Sequence, residues 1–166
     1  YEIMPSLVGS EMCIRDRVGA FGNIDRDPGE RVISVAYCAL INVVDYDDKL
    51  REQHGLEWVS LKDLPQLYSD HNQMIQDAIS QIRRRINTEP LSFKLLPNLF
   101  TLTQLQHVFE AVMDEEIDKR NFRKRIKDID FIEKTELIDK AGSRRGAALY
   151  RFNKKAYAQD PSFTLK

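Results

Sequence analysis

The chain has 166 residues, 42% of them hydrophobic and 31% charged, with a formal net charge of -1. That length holds one domain or two small ones, each able to bury a core. Residues 1–117 carry 11 Lys and Arg against 19 Asp and Glu, whereas residues 118–155 carry 13 against 6, so the C-terminal part is suited to a polyanion.

Two cysteines, Cys13 and Cys38, give neither a CxxC pair nor a disulfide framework. No apolar run approaches the roughly 20 residues of a membrane span, and nothing reads as a secretory or transit peptide. The expectation is a reduced cytoplasmic compartment and no membrane partner.

The first segment is anomalous. "EMCIRDR" (Glu11–Arg17) resembles the in-frame translation of a transposon end used in sequencing-library preparation, and residues 1–17 are therefore read as an artefactual leader outside the fold. Asn23, Asp25, Asp27, Pro28 and Gly29 then make a turn. From Val32 to Val44 one parity (Ile33, Val35, Tyr37, Ala39, Ile41, Val43) is wholly apolar and the other is mostly buriable. This pattern predicts a long central strand covered on both faces. Leu56, Trp58 and Val59 read as a short strand, with Leu61, Leu64 and Leu67 packing back onto it.

A helix is predicted over "SDHNQMIQDAISQIRRRI", capped by Ser69 or Asp70, with Ile75, Ala78, Ile79, Ile82 and Ile86 as its stripe and Arg83–Arg85 at its C-terminal dipole. Asn87–Pro90 stops it and marks a domain boundary. A second helix follows over "FTLTQLQHVFEAVM", capped by Thr101 or Thr103. Asp114–Ile117 is a short connection. Asp118 then caps a third helix, with Phe122, Ile126 and Ile129 facing inward and Lys119, Arg120, Arg123, Lys124 and Lys127 pointing elsewhere. "FIEKTELI", "DKAGSRRG" and "AALYRFN" read as strand, turn and strand, with Ala148, Tyr150 and Phe152 on one face.

Helix, short turn, cationic helix and hairpin is the order of a winged helix-turn-helix. The third helix has the apolar back and polar front that a major groove requires. Arg and Asn read bases through paired hydrogen bonds, and Lys neutralises phosphate. The candidate DNA contacts are Lys119, Arg120, Asn121, Arg123, Lys124 and Lys127 on the helix, with Arg144 and Arg145 at the hairpin tip. Arg26 and Arg31 are weaker candidates for holding a ligand, since a turn with paired charges explains them equally well. His54, His71 and His107 have no metal-ligand spacing with one another, and no cofactor or metal site is expected.

From Val18 onward the chain resembles a family of bacterial transcriptional regulators that fuse a Nudix-like ligand domain to a winged helix-turn-helix. "DRDPGERVISVAYCALI" (Asp25–Ile41) resembles the strand region following the Nudix box, and "LLPNLFTLTQLQHVFEAVMDEEIDKRNFRKRI" with "RRGAALYRFN" resembles the DNA-binding domain. The resemblance implies an α+β fold: an incomplete Nudix-like α/β remnant over residues 18–86, a winged helix-turn-helix over 91–157 and a tail over 158–166. It further implies a regulator acting on a double-stranded DNA operator as a homodimer, responsive to a small phosphorylated effector such as ADP-ribose or a sugar phosphate.

Two departures matter. The glutamate-bearing Nudix box is absent from the sequence, so catalysis is not expected, and Gly29 stands where relatives often carry Arg. The alternatives are a fragment of a Nudix hydrolase acting on a nucleoside diphosphate derivative and a winged domain used for protein contacts. Loss of partner strands should also leave apolar surface exposed around Val32–Val44.

Overall fold

The computed structural model describes residues 14–40, 57–140 and 146–159. The chain divides into two compact units, residues 1–80 and 81–166.

In the first unit, β1 (Ile14–Phe21) pairs antiparallel with β2 (Ser34–Leu40), from Ile14 opposite Leu40 to Phe21 opposite Ser34, with an irregularity between Arg17 and Gly19. Residues Ile14–Arg17 of the expected leader thus lie in a paired strand. The turn between the strands is built by its side chains. Asn23 Oδ1 accepts from the Asp25 amide to start a 3-10 turn over Ile24–Arg26, and Asp27 Oδ1 accepts from the Gly29 amide at 2.8 Å.

Three expectations are corrected in this unit. The strand is not covered on both faces among the described residues: Ile33, Val35 and Tyr37 are 65%, 50% and 63% exposed, while Ser34, Ala36, Cys38 and Leu40 are half-buried. Among the described residues β1 and β2 form a sheet of two strands, with Ile33, Val35 and Tyr37 on the exposed side. No strand forms at Trp58 and Val59, which are exposed; Ser60 Oγ accepts from the Lys62 amide and bends the chain into a 3-10 turn over Leu61–Asp63.

The third concerns the start of α1 (His71–Thr88), where Ser69 and Asp70 are the expected caps. Asp70 instead binds Arg26, and the Ser69 hydroxyl donates to the Arg26 carbonyl, with Ser69 at φ 52°. Asn72 fixes the approach, accepting from the Leu67 amide at 2.7 Å and donating to the Pro65 carbonyl at 2.9 Å.

The division at residue 80 falls inside α1, upstream of the expected boundary at Asn87–Pro90. The cause lies in packing: Ile86 is fully buried in the second unit's core, Arg83 Nε donates to the Val112 carbonyl at 3.0 Å, and Asn87 touches Met113 Sδ at 3.8 Å. The helix nevertheless ends where the sequence indicates, and a 3-10 turn over Pro90–Lys94 follows.

The second unit continues with β3 (Phe100–Thr101), α2 (Leu102–Met113), α3 (Lys119–Lys127), β4 (Ile132–Asp139), β5 (Ala147–Phe152) and α4 (Lys154–Gln159). β5 is the central strand of an antiparallel sheet ordered β3-β5-β4. Leu105, Phe109, Phe122 and Ile126 join Ile86 and Phe100 in the buried core. Phe93 stacks on Phe152 with centroids 4.6 Å apart, and Phe131 meets both Phe152 and Tyr157 edge-on. Each such pair adds roughly 0.5–1.5 kcal/mol beyond its area.

The hairpin is irregular, since between the pairs Lys134–Tyr150 and Ile138–Ala148 three residues of β4, Thr135 to Leu137, run opposite Leu149 alone. Thr135 absorbs the excess: its hydroxyl donates to the Leu149 carbonyl at 2.8 Å and accepts from the Leu137 amide at 3.2 Å. On the far side of the hairpin, Gly146 sits at φ 73°, and a Cβ there would lie 2.4 Å from Ile138 Cγ2. Only glycine fits that approach.

Candidate nucleic-acid interface

The interface is built from α2, the turn after it, α3 and the hairpin. Thr101 opens α2 with a capping box, its hydroxyl accepting from the Gln104 amide at 3.2 Å while Gln104 Oε1 accepts from the Thr101 amide at 2.8 Å. Asp114 closes the helix in the left-handed region at φ 55°, ψ 37°. Asp118 caps α3 as its sequence position indicates, with Oδ1 accepting from the Asn121 amide at 2.8 Å.

α3 has a narrow seam and a broad polar surface. Phe122 and Ile126 are buried, with Phe122 5.8 Å from Phe109 between centroids, and Ile129 packs against the same core just beyond the helix. Lys119, Arg120, Asn121, Arg123, Lys124, Arg125 and Lys127 are all exposed. At about 100° per residue, Lys124 and Arg120 fall opposite the seam, Lys127 and Arg123 fall to one side of it and Asn121 to the other. Arg123 lies on the flank near α2, with Nη2 3.5 Å from Thr103 Oγ1.

Asn121 lies on the opposite flank, where it lines an open cavity of about 420 Å³ with Asn87, Met113, Ile117 and Arg125. Thus the structure brings six expected contacts onto one helix but separates Asn121 from Arg123. Arg144 and Arg145 lie outside the described residues, while Asp139 pairs with Ala147 across the base of their hairpin.

Two residues that sequence reasoning passed over organise the turn. Gln106 is 8% exposed and donates through Nε2 to Glu110 Oε1 at 2.8 Å and to the Ile117 carbonyl at 3.0 Å. Glu110 Oε1 also accepts from the Ile117 amide at 3.1 Å. The Gln106 hydrogen bond, reinforced by that amide, holds the Glu110 carboxyl below its ordinary pKa. The available signal was a glutamine beside Leu105 on the packed side of an amphipathic helix.

Arg26 and Arg31, the weaker ligand candidates, are both engaged within the first unit. The Arg26 side chain is 5% exposed and forms a two-pronged pair with Asp70, 2.9 Å at each contact, while Nη1 donates to Ser34 Oγ at 2.8 Å. This geometry braces the turn, β2 and the start of α1. Arg31 donates to the Gly22 carbonyl at 2.7 Å. Among the described residues, no three His, Cys, Asp or Glu side chains group as metal ligands, and no helix is long and apolar enough to cross a membrane.

Comparisons with known proteins bear on the same elements. Residues 92–152 match the NrtR DNA-binding winged helix domain family. The ADPR responsive transcriptional repressor NtrR of Acinetobacter baylyi is 33% identical over 144 residues, which are 86% of this chain and 57% of that protein, so the chain spans little more than half the length of that relative.

Among solved structures, Shewanella oneidensis NrtR complexed with a 27mer DNA superposes with a TM-score of 0.70 at 25% identity, covering 87% of this chain and 67% of that one. A MutT/nudix family protein from Enterococcus faecalis superposes with a TM-score of 0.56 at 22% identity, over 83% of this chain and 61% of that one, a likeness of fold alone.

Proposed function

We propose that the chain is a member of the Nudix-related transcriptional regulator family, a DNA-binding regulator whose winged helix reads a double-stranded operator and whose activity answers to ADP-ribose or a related phosphorylated effector. The observation that carries the reading is α3: a helix capped by Asp118 and seated by Phe122 and Ile126, with Lys119, Arg120, Asn121, Arg123, Lys124 and Lys127 all exposed. Arg120, Asn121 and Arg123 are assigned to base edges. Lys119, Lys124 and Lys127 are assigned to phosphates, with Arg144 and Arg145 reaching DNA from the hairpin. The regulator acts as a homodimer on a two-fold operator. The S. oneidensis complex with DNA and the A. baylyi repressor's stated response to ADP-ribose support this reading.

Selection of a site from random duplexes, followed by titration at several salt concentrations, tests it. Arg120→Ala and Arg123→Ala should each lose about 1–3 kcal/mol on the preferred site and relax one base position. Lys124→Ala should weaken all sequences alike and lower the salt slope by about one unit. If wild type prefers no site, or the three variants bind unchanged, the assignment fails. In this reading the chain is not a hydrolase, and ADP-ribose with Mg²⁺ should show no turnover above a buffer control.

A further inference from the structure

We infer that Gln106 and Glu110 are positioning residues for DNA reading: together they clamp the residue that precedes α3 and so set the angle at which that helix meets the groove. The inference rests on the DNA-reading function proposed above and adds residues that touch no DNA in it. Ile117 is the last residue before the Asp118 cap. Both of its backbone polar groups are held by α2 side chains, its amide by Glu110 Oε1 at 3.1 Å and its carbonyl by Gln106 Nε2 at 3.0 Å.

Gln106 and Glu110 are themselves joined at 2.8 Å, which closes a small ring of hydrogen bonds across the turn. Gln106 is 8% exposed, so its amide has little access to water as an alternative partner. The apolar seam alone leaves α3 freedom to roll. Phe122 and Ile126 seat it in the core, Phe122 against Phe109 of α2, and a seam this narrow resists separation more than small rotations about the helix axis. The clamp acts at the helix start, where base contacts fall in this motif. Phosphate contacts through long lysine side chains tolerate such rotations far better than paired hydrogen bonds to bases do.

Gln106→Leu keeps the volume and removes both donors. Glu110→Ala removes the shared acceptor, and Glu110→Gln retains an oxygen at the same place. Two measurements are made on each full-length variant whose circular dichroism matches wild type. Amide hydrogen exchange at Ile117 and the first turn of α3 should quicken in Gln106→Leu and Glu110→Ala and return towards wild type in Glu110→Gln. The ratio of affinities for the selected site and for random duplex should fall about tenfold in the first two, with the salt slope on random duplex unchanged.

Unchanged exchange in Gln106→Leu would overturn the clamp. Quickened exchange with an unchanged ratio would overturn its role in positioning. A wild type without a preferred site would instead sink the DNA-reading function, and the exchange measurement would still judge the clamp.

Discussion

At the scale of single residues, polar side chains that look alike in the sequence do opposite work. Asp70 reads as a helix cap, yet its carboxylate faces the nearly buried Arg26 guanidinium at 2.9 Å on both oxygens. Arg26 holds that carboxyl below its ordinary value of 3.8. A depressed carboxylate stabilises the fold fully above the unfolded pKa, and the contribution is lost as pH falls through the lower folded value. The stability of wild type against denaturation should therefore fall below about pH 4, with part of that slope absent in Asp70→Asn. Equal slopes in the two proteins would remove the pair from the balance.

Ser92 is the contrasting case. It is fully buried, and its hydroxyl has no hydrogen-bond partner among the described residues. An unsatisfied buried hydroxyl costs about 1–3 kcal/mol, so Ser92→Ala should raise the denaturation midpoint, and a lowered midpoint would contradict it.

Elements depend on fewer positions than their lengths suggest. α3 is nine residues long, too short to persist alone in water. It is kept by its Asp118 cap and by two buried side chains, Phe122 and Ile126. Ile126→Ala should cost about 2–5 kcal/mol by urea denaturation. Thr101→Ala, which removes one half of the α2 capping box, should cost about 1 kcal/mol. A smaller loss at Ile126 than at Thr101 would mean that the seam does not seat the helix.

These features were legible because they are local: caps at Thr101 and Asp118, a stripe at helical spacing, and a glycine beside the hairpin. Whatever depended on distant partners was not. Asp70 has the composition of a cap, but its partner Arg26 lies 44 residues away. Gln106 shows in the sequence only as a glutamine on the packed side of a helix, and nothing there points to its backbone acceptor at Ile117. Likewise, the separation of Asn121 from Arg123 follows from helix geometry, which their closeness in the chain conceals.

At the scale of the whole molecule, the first unit shows the exposed apolar surface expected around Val32–Val44, although the strand there is not covered on both faces as its alternation suggested. Alternation along β2 correctly marks a strand, but alternation cannot say how many strands lie beside it. Among the described residues β1 is the one strand beside β2, and Ile33, Val35 and Tyr37 are each at least half exposed. Trp58, Val59 and Leu61 in the same unit are also 54%, 48% and 57% exposed. Apolar surface displayed at this density is unusual for a soluble monomer and binds hydrophobic reporters. A dye that brightens on apolar surfaces should therefore brighten with the native chain at neutral pH. The double variant Val35→Lys with Tyr37→Lys should brighten it less, because each lysine keeps its charged head in water over the same patch. Operator affinity should not change, since neither position belongs to the cationic helix or the hairpin. Equal fluorescence in wild type and variant would place the bound dye elsewhere, and a wild type silent to the dye would show that in solution this face of β2 is covered.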